Sequence, residues 1–208
     1  MKNYKIIKPK ETVSQNLESL LAYKGDELVV FDGNLDLGRN TKRLKFHNLV
    51  EIKGYLNLRH NQGNLEFPKL KKIGKGSSLY NENQSLNLVK NTGNIIFSSL
   101  EEVRGDLDLS ENKVNLNFPK LRKIGEDLNL YENKVCLQFP SLESIGDTLY
   151  SYLCEGKLYF PKLKEIVGNL DLTYNKSNLE FPELTMINKL ITHEYKGKLS
   201  IPKLKINS

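Results

Sequence analysis

The chain has 208 residues, 38% of them hydrophobic and 27% charged, with a formal net charge of +6. That suffices for one domain with a continuous core and a rather polar surface. It contains no apolar run near the roughly 18 residues of a helical membrane span, and its two cysteines, Cys136 and Cys154, are too few for a disulfide framework or a self-contained zinc site.

The first ten residues are basic but lack an apolar signal core and a cleavage site, so the chain is expected to be cytoplasmic, or secreted if a signal segment precedes it. Thr12 and Gln15 form a capping-box pattern, and Val13, Leu17, Leu20 and Leu21 give one apolar helical stripe, with Gly25 as the expected stop. Leu28 and Phe31 follow as half of a repeat unit. Residues 1–32 are therefore expected to form an N-terminal cap of strand plus helix, and residues 33–208 a repeat domain.

From there the chain repeats. A G-x-L-x-L phrase places its first leucine at Leu35, Leu56, Leu86, Leu107, Leu128, Leu149 and Leu170, with Ile191 taken as the last. The step is 21 residues except for one of 30, which holds a nine-residue insertion within residues 74–84. An L-x-F phrase (Leu65/Phe67, Leu116/Phe118) and an L-x-x-I phrase (Leu70/Ile73, Leu121/Ile124) recur in phase. The first two alternate with period two and predict short strands with one buried face. Twenty-one residues hold two such strands and tight corners, so each repeat is one coil, and only stacking buries its leucines.

Stacking turns each repeat position into a surface column. Asn40, Asn61, Asn91, Asn112, Asn133 and Asn175, with Cys154 among them, predict a structural asparagine ladder. Cys136 lies in a different column from Cys154, which argues against a disulfide. Charges alternate from coil to coil at 71, 101, 122, 143 and 164, as expected of ion pairs. Lysines cluster at Lys69, Lys71, Lys72 and Lys75 beside the insertion, and at Lys2, Lys5, Lys8 and Lys10.

Outward positions of the G-x-L-x-L strand are small and polar early (Asn34, Asp36, Asn57, Asp106, Asp108, Asn129) and aromatic late: Tyr131, Tyr150, Tyr152, Tyr174 and Tyr195. Tyr131 and Tyr152 are expected to share one column, and Tyr174 and Tyr195 another. Such rings serve either as interface anchors or as a stack that stiffens the sheet. Tyr80 adds an aromatic within the insertion. The three histidines are scattered, and no phosphate loop, nucleophile elbow or zinc motif is present. Asp36, Asp106, Asp108 and Asp171 line one face, where carboxylates serve acid–base work, cation binding or simple solubility.

The phrase Ile52-Lys-Gly-Tyr-Leu56-Asn-Leu58-Arg-His-Asn61 resembles leucine-rich repeats, and F-P-x-L-x-x-I looks most like the irregular repeats of receptor L-domain-like proteins. Three residues rather than two separate Ile52 from Leu56, and Asn61 lies four residues before the next leucine rather than two, which favours a compact β-rich coil over a helical horseshoe. The resemblance implies a mainly β, parallel, right-handed leucine-rich-repeat-like solenoid of about eight 21-residue coils with an N-terminal helical cap, and a binding role. The leading expectation is a non-enzymatic protein-binding scaffold, an inhibitor or effector docking on a larger assembly through Tyr131, Tyr150, Tyr152, Tyr174, Tyr195 and Tyr80, with no metal or cofactor. A nucleic-acid or polyanion partner held by Lys69, Lys71, Lys72 and Lys75 is the alternative, and carbohydrate binding the third.

Overall fold

The structure, a computed structural model, describes residues 3–74 and 84–204. The chain winds through about nine parallel turns spaced about 21 residues apart. Where two strands per coil were expected, there are three, because the L-x-x-I phrase is extended as well: Leu49–Ile52, Lys72–Ile73 and Glu102–Val103 are examples. Its physical basis is the same alternation, a β-branched residue inside and a charged one outside. Glu51, Lys72, Glu102 and Lys123 stand side by side, as do Ile52, Ile73, Val103 and Ile124. The L-x-x-I and G-x-L-x-L faces belong to one 15-stranded sheet, joined where the strand Glu165–Asp171 runs unbroken through the corner.

At the N-terminal end, β1 (Tyr4–Ile7) pairs in parallel with β2 (Leu28–Phe31), which pairs onward with Leu49–Ile52. Helix α1 (Val13–Ala22) starts at the expected capping box: Gln15 N donates to Thr12 Oγ1 at 3.3 Å, and Thr12 N donates to Gln15 Oε1 at 3.2 Å. The helix packs against β3 (Leu35–Asp36). It stops at Tyr23, whose backbone is extended, before Gly25 is reached. Gly25 instead lies under the Tyr23 ring, where an added Cβ would come within 2.4 Å of the phenol oxygen.

The other end departs from the expected register. Leu190, not Ile191, stands opposite Leu170, and Ile191 stands opposite Asp171. Three residues separate Ile166 from Leu170, but only Asn188 and Lys189 separate Ile187 from Leu190, so the last coil is one residue short at that corner. Leu190 remains 38% exposed, while the corresponding Leu149 and Leu170 are sealed.

The interior is columnar. Phe46, Phe67, Phe97, Phe118, Phe139, Phe160 and Phe181 stack in one file, with centroids 4.8–5.8 Å apart and planes within 17°. The asparagine ladder forms as expected. Asn61 Nδ2 donates to Gly63 O in its own turn and to Asn91 Oδ1 in the next coil (2.8 and 2.9 Å), and Asn91 repeats this toward Gly93 and Asn112. Beyond Asn112 the bonding reverses. Asn133, Cys154 and Asn175 each donate to a carbonyl 24 residues back, at Leu109, Leu130 and Ser151. At that switch Asn133 Oδ1 is left buried without a partner. Both cysteines are free thiols.

Two outcomes follow from this packing. Asn91→Ala strands the buried Asn61 amide and Asn112 carbonyl oxygen, so thermal melting is expected to show a loss of about 2–4 kcal/mol. Strands on both sides of the insertion keep register with their neighbours, Lys72 with Glu102 and Leu86 with Leu107. Deleting residues 75–83 is therefore expected to leave a cooperative melt and an unchanged far-ultraviolet spectrum, whereas an unfolded deletion variant would give the insertion a structural role.

Candidate functional site

The corner after the G-x-L-x-L strand is built by one local device. An outward Asp or Asn accepts the N–H two residues on: Asp36 from Gly38, Asn57 from Arg59, Asn87 from Val89, Asp108 from Ser110, Asn129 from Tyr131 and Asp171 from Thr173. These Asx turns lead into a residue with positive φ (Arg39, His60, Lys90, Glu111, Glu132, Tyr174), and the ladder asparagine follows; Leu153 and Glu194 hold the same positive φ in the two remaining coils. The small polar residues at these strand positions are thus turn formers. Asp106 and Asp127 lie one column over and bridge coils instead, accepting the N–H of Asp127 and Thr148 at 3.0 and 2.8 Å.

Two coils break the pattern. Tyr150 replaces the turn-forming Asx and Cys154 the ladder asparagine; in the last coil Ile191 and Tyr195 make the same pair of replacements. Around these coils the corner becomes aromatic. Tyr131 and Tyr152 stack in one column at 5.5 Å and 15°, as expected. Tyr174, from the neighbouring positive-φ column, meets Tyr152 edge-on at 5.6 Å and His193 edge-on at 5.4 Å. Tyr174 Oη lies 3.5 Å from His193 Nε2. Four rings thus line four successive coils, a run of roughly 14 Å at the strand spacing.

Tyr195 does not share the column of Tyr174. It occupies the ladder position of the shortened last coil, where its phenol donates to Ser177 O and Lys198 O, both at 2.9 Å. It is a structural substitute for asparagine, displaced from the expected column by the missing residue. Tyr150 is 39% exposed, set between Asn129 and Asp171. Burial, together with the carboxylates of Asp127, Asp147 and Asp171, raises its pKa above the ordinary tyrosine value. The Tyr131 pKa is raised as well, first by its hydrogen bond to Glu132. Tyr80 and Lys75 lie outside the described residues.

The lysine cluster is largely engaged. Lys71 pairs with Glu101 at 2.7 Å and Lys72 with Glu102 at 3.2 Å, and Lys69 donates to Asn48 Oδ1. Lys164 and Glu143 complete the expected alternation. Sequence reasoning missed His193 as a ridge member, because its column was hidden by the short last coil. It also missed Tyr159, 55% exposed on the L-x-F face, although its place between Leu158 and Phe160 marked it as outward. Among the described residues no group of His, Cys, Asp and Glu is arranged to hold a metal ion, and no helix is long and apolar enough to cross a membrane.

Fold and site together define the class: a parallel β-solenoid of stacked 21-residue coils with an aromatic corner ridge. No protein-family model, curated protein or solved structure matches the chain.

The aspartate column supplies a pH test. Half-burial raises the pKa of Asp106, nearby Glu126, Asp108 and Asp147 raise it further, and the bond from Asp127 N only partly offsets this. A carboxyl whose pKa is higher in the folded than in the unfolded state favours folding when protonated, so its ionisation lowers stability as pH rises through the carboxylate range. Asn34 fills the same column and accepts Tyr55 N, so an amide fits there. Asp106→Asn is expected to raise the melting temperature at pH 7, with the gain shrinking below about pH 4; a gain independent of pH would point to a packing effect.

Proposed function

We propose that the chain is a non-enzymatic protein-binding scaffold, a leucine-rich-repeat-like solenoid whose ridge of Tyr131, Tyr152, Tyr174 and His193, with Tyr150 beside it, is the contact surface. One observation carries the reading. The two coils that abandon the turn-forming Asx and the ladder asparagine belong to the aromatic ridge. Departures from an otherwise strict local rule concentrate where function overrides stability. Half-buried tyrosines held by stacking have little side-chain entropy left to lose on binding, and they present an apolar body with a polar tip. The partner is a protein surface that accepts a row of rings, as an inhibitor or effector would use against a larger assembly. The polyanion alternative draws less support, since Lys71 and Lys72 alternate with Glu101 and Glu102 from coil to coil and form no contiguous basic stripe.

The test is affinity capture of a stoichiometric partner by the tagged protein at low and high salt, run beside Tyr131→Ala/Tyr152→Ala. The expected outcome is a protein retained at high salt by wild type and lost by the folded double variant, with affinity reduced at least tenfold. Equal retention by both proteins would remove the ridge from the contact. Nucleic acid captured at low salt and released at high salt would favour the polyanion reading.

A further inference from the structure

The N-terminal end of the solenoid is sealed on two of its three faces. β1 covers the L-x-x-I face by pairing with β2, and α1 lies over β3 on the G-x-L-x-L face. Among the described residues no strand covers the L-x-F face. Among the described strands its first one, β4 (Leu44–Lys45), pairs only with Leu65–Glu66 of the next coil. Leu44 N and Phe46 N donate inward to Asn64 O and Glu66 O, both at 2.9 Å. Strand geometry then turns the backbone N–H and C=O of Lys45 to the outer edge.

That edge opens into a groove of about 650 Å³ between the helix and the first coil, within the size range of ligand clefts. Leu20 and Leu21 of the helix form one wall, and Leu44, Phe46 and Leu49 the floor. Lys24, Arg43, Lys45 and His47 stand around it, against the single acid Asp26. Arg43 and Lys45 both pair with Glu66, at 3.0 and 2.8 Å, and remain 78% and 44% exposed.

We propose that this groove binds an extended, acidic segment of a partner protein, which adds a strand to β4 and continues the L-x-F face. The coil-to-coil register dictates its pattern. Leu65 stands beside Leu44 and Glu66 beside Lys45, and Phe67 stacks on Phe46. A segment reading Leu-Glu-Phe would repeat this register along the open edge, with its carboxylate at Lys45 and Arg43. Main-chain hydrogen bonds supply affinity in such strand addition, and alternate side-chain pockets supply specificity. A second copy of this chain is a poor occupant. Its own open L-x-F edge, Leu199–Ser200, is flanked by Lys196, Lys198 and Lys203 and would set basic residues on basic residues.

A labelled peptide with the sequence of residues 177–184, Ser-Asn-Leu-Glu-Phe-Pro-Glu-Leu, serves as the probe. Fluorescence anisotropy with the full chain is expected to show saturable binding that weakens at least tenfold when both glutamates of the peptide are changed to lysine. Proline is tolerated on an edge strand where its missing N–H faces solvent. Lys45→Pro is therefore expected to melt like Lys45→Ala yet bind the peptide at least tenfold more weakly, while Tyr131→Ala/Tyr152→Ala binds it normally. No saturable binding, equal binding of both peptides, or equal affinity in the two Lys45 variants would overturn the proposal. Concentration-dependent self-association lost in Lys45→Pro would overturn it too, by naming a second copy as the occupant.

Discussion

Parallel, in-register stacking at a constant 21-residue step is the constraint on which the rest of the molecule depends. Each coil can bury its leucines only against the coil before and the coil after, and the backbone ladder permits that only if equivalent residues fall side by side. Once register is fixed at Ile52, Ile73, Val103 and Ile124, every other position is fixed as well. Phenylalanines must meet phenylalanines and asparagines must meet asparagines. The strands on both sides of the insertion within residues 74–84 hold their places in the stack.

The same constraint explains what the sequence made legible. Columns read from a 21-residue period are physical neighbours, so the asparagine ladder, the Tyr131–Tyr152 stack and the Lys71–Glu101 and Lys72–Glu102 pairs could be anticipated residue by residue. Errors arose where the period itself failed. Between Ile187 and Leu190 one residue is missing, and extending the step of 21 across that gap put Ile191 in place of Leu190 and Tyr195 beside Tyr174. The same slip concealed His193. The third strand of each coil was obscured for a different reason: L-x-x-I reads as a spacer by pattern alone, and only its neighbours' pairing makes it extended.

The two ends of the stack obey the same physics with different results. At the first coil, β1 and α1 satisfy two of the three faces, and the capping box at Thr12 and Gln15 fixes where the helix begins. At the last coil no described strand pairs beyond Met186–Ile191 and Leu199–Ser200, and apolar positions that are sealed in the interior become partly exposed. Lysines at 189, 196, 198 and 203 surround them, and charges on an open strand edge discourage another chain from pairing there. The open edge at β4 differs because it faces a groove between the helix and the first coil, where Leu20 and Leu21 stand beside Lys24, Arg43 and Lys45.

The ridge also has a structural cost. An Asx turn and a ladder asparagine together satisfy the backbone of each corner, and Tyr150 and Cys154 give up both in one coil. Cys154 keeps its thiol engaged, donating to Leu130 O at 2.7 Å, and separately, where the ladder reverses between Asn112 and Asn133, Asn133 Oδ1 stays unpaired. A buried polar atom without a partner costs on the order of 1–3 kcal/mol. Cross-strand aromatic stacking contributes roughly 0.5–1.5 kcal/mol per pair, so the Tyr131–Tyr152 stack offsets part of this loss. Repeat-wide consensus residues at 150 and 154 would serve the fold at least as well. The loss of the Asx turn and the ladder asparagine in that coil is what supports the proposal of a contact surface beside it.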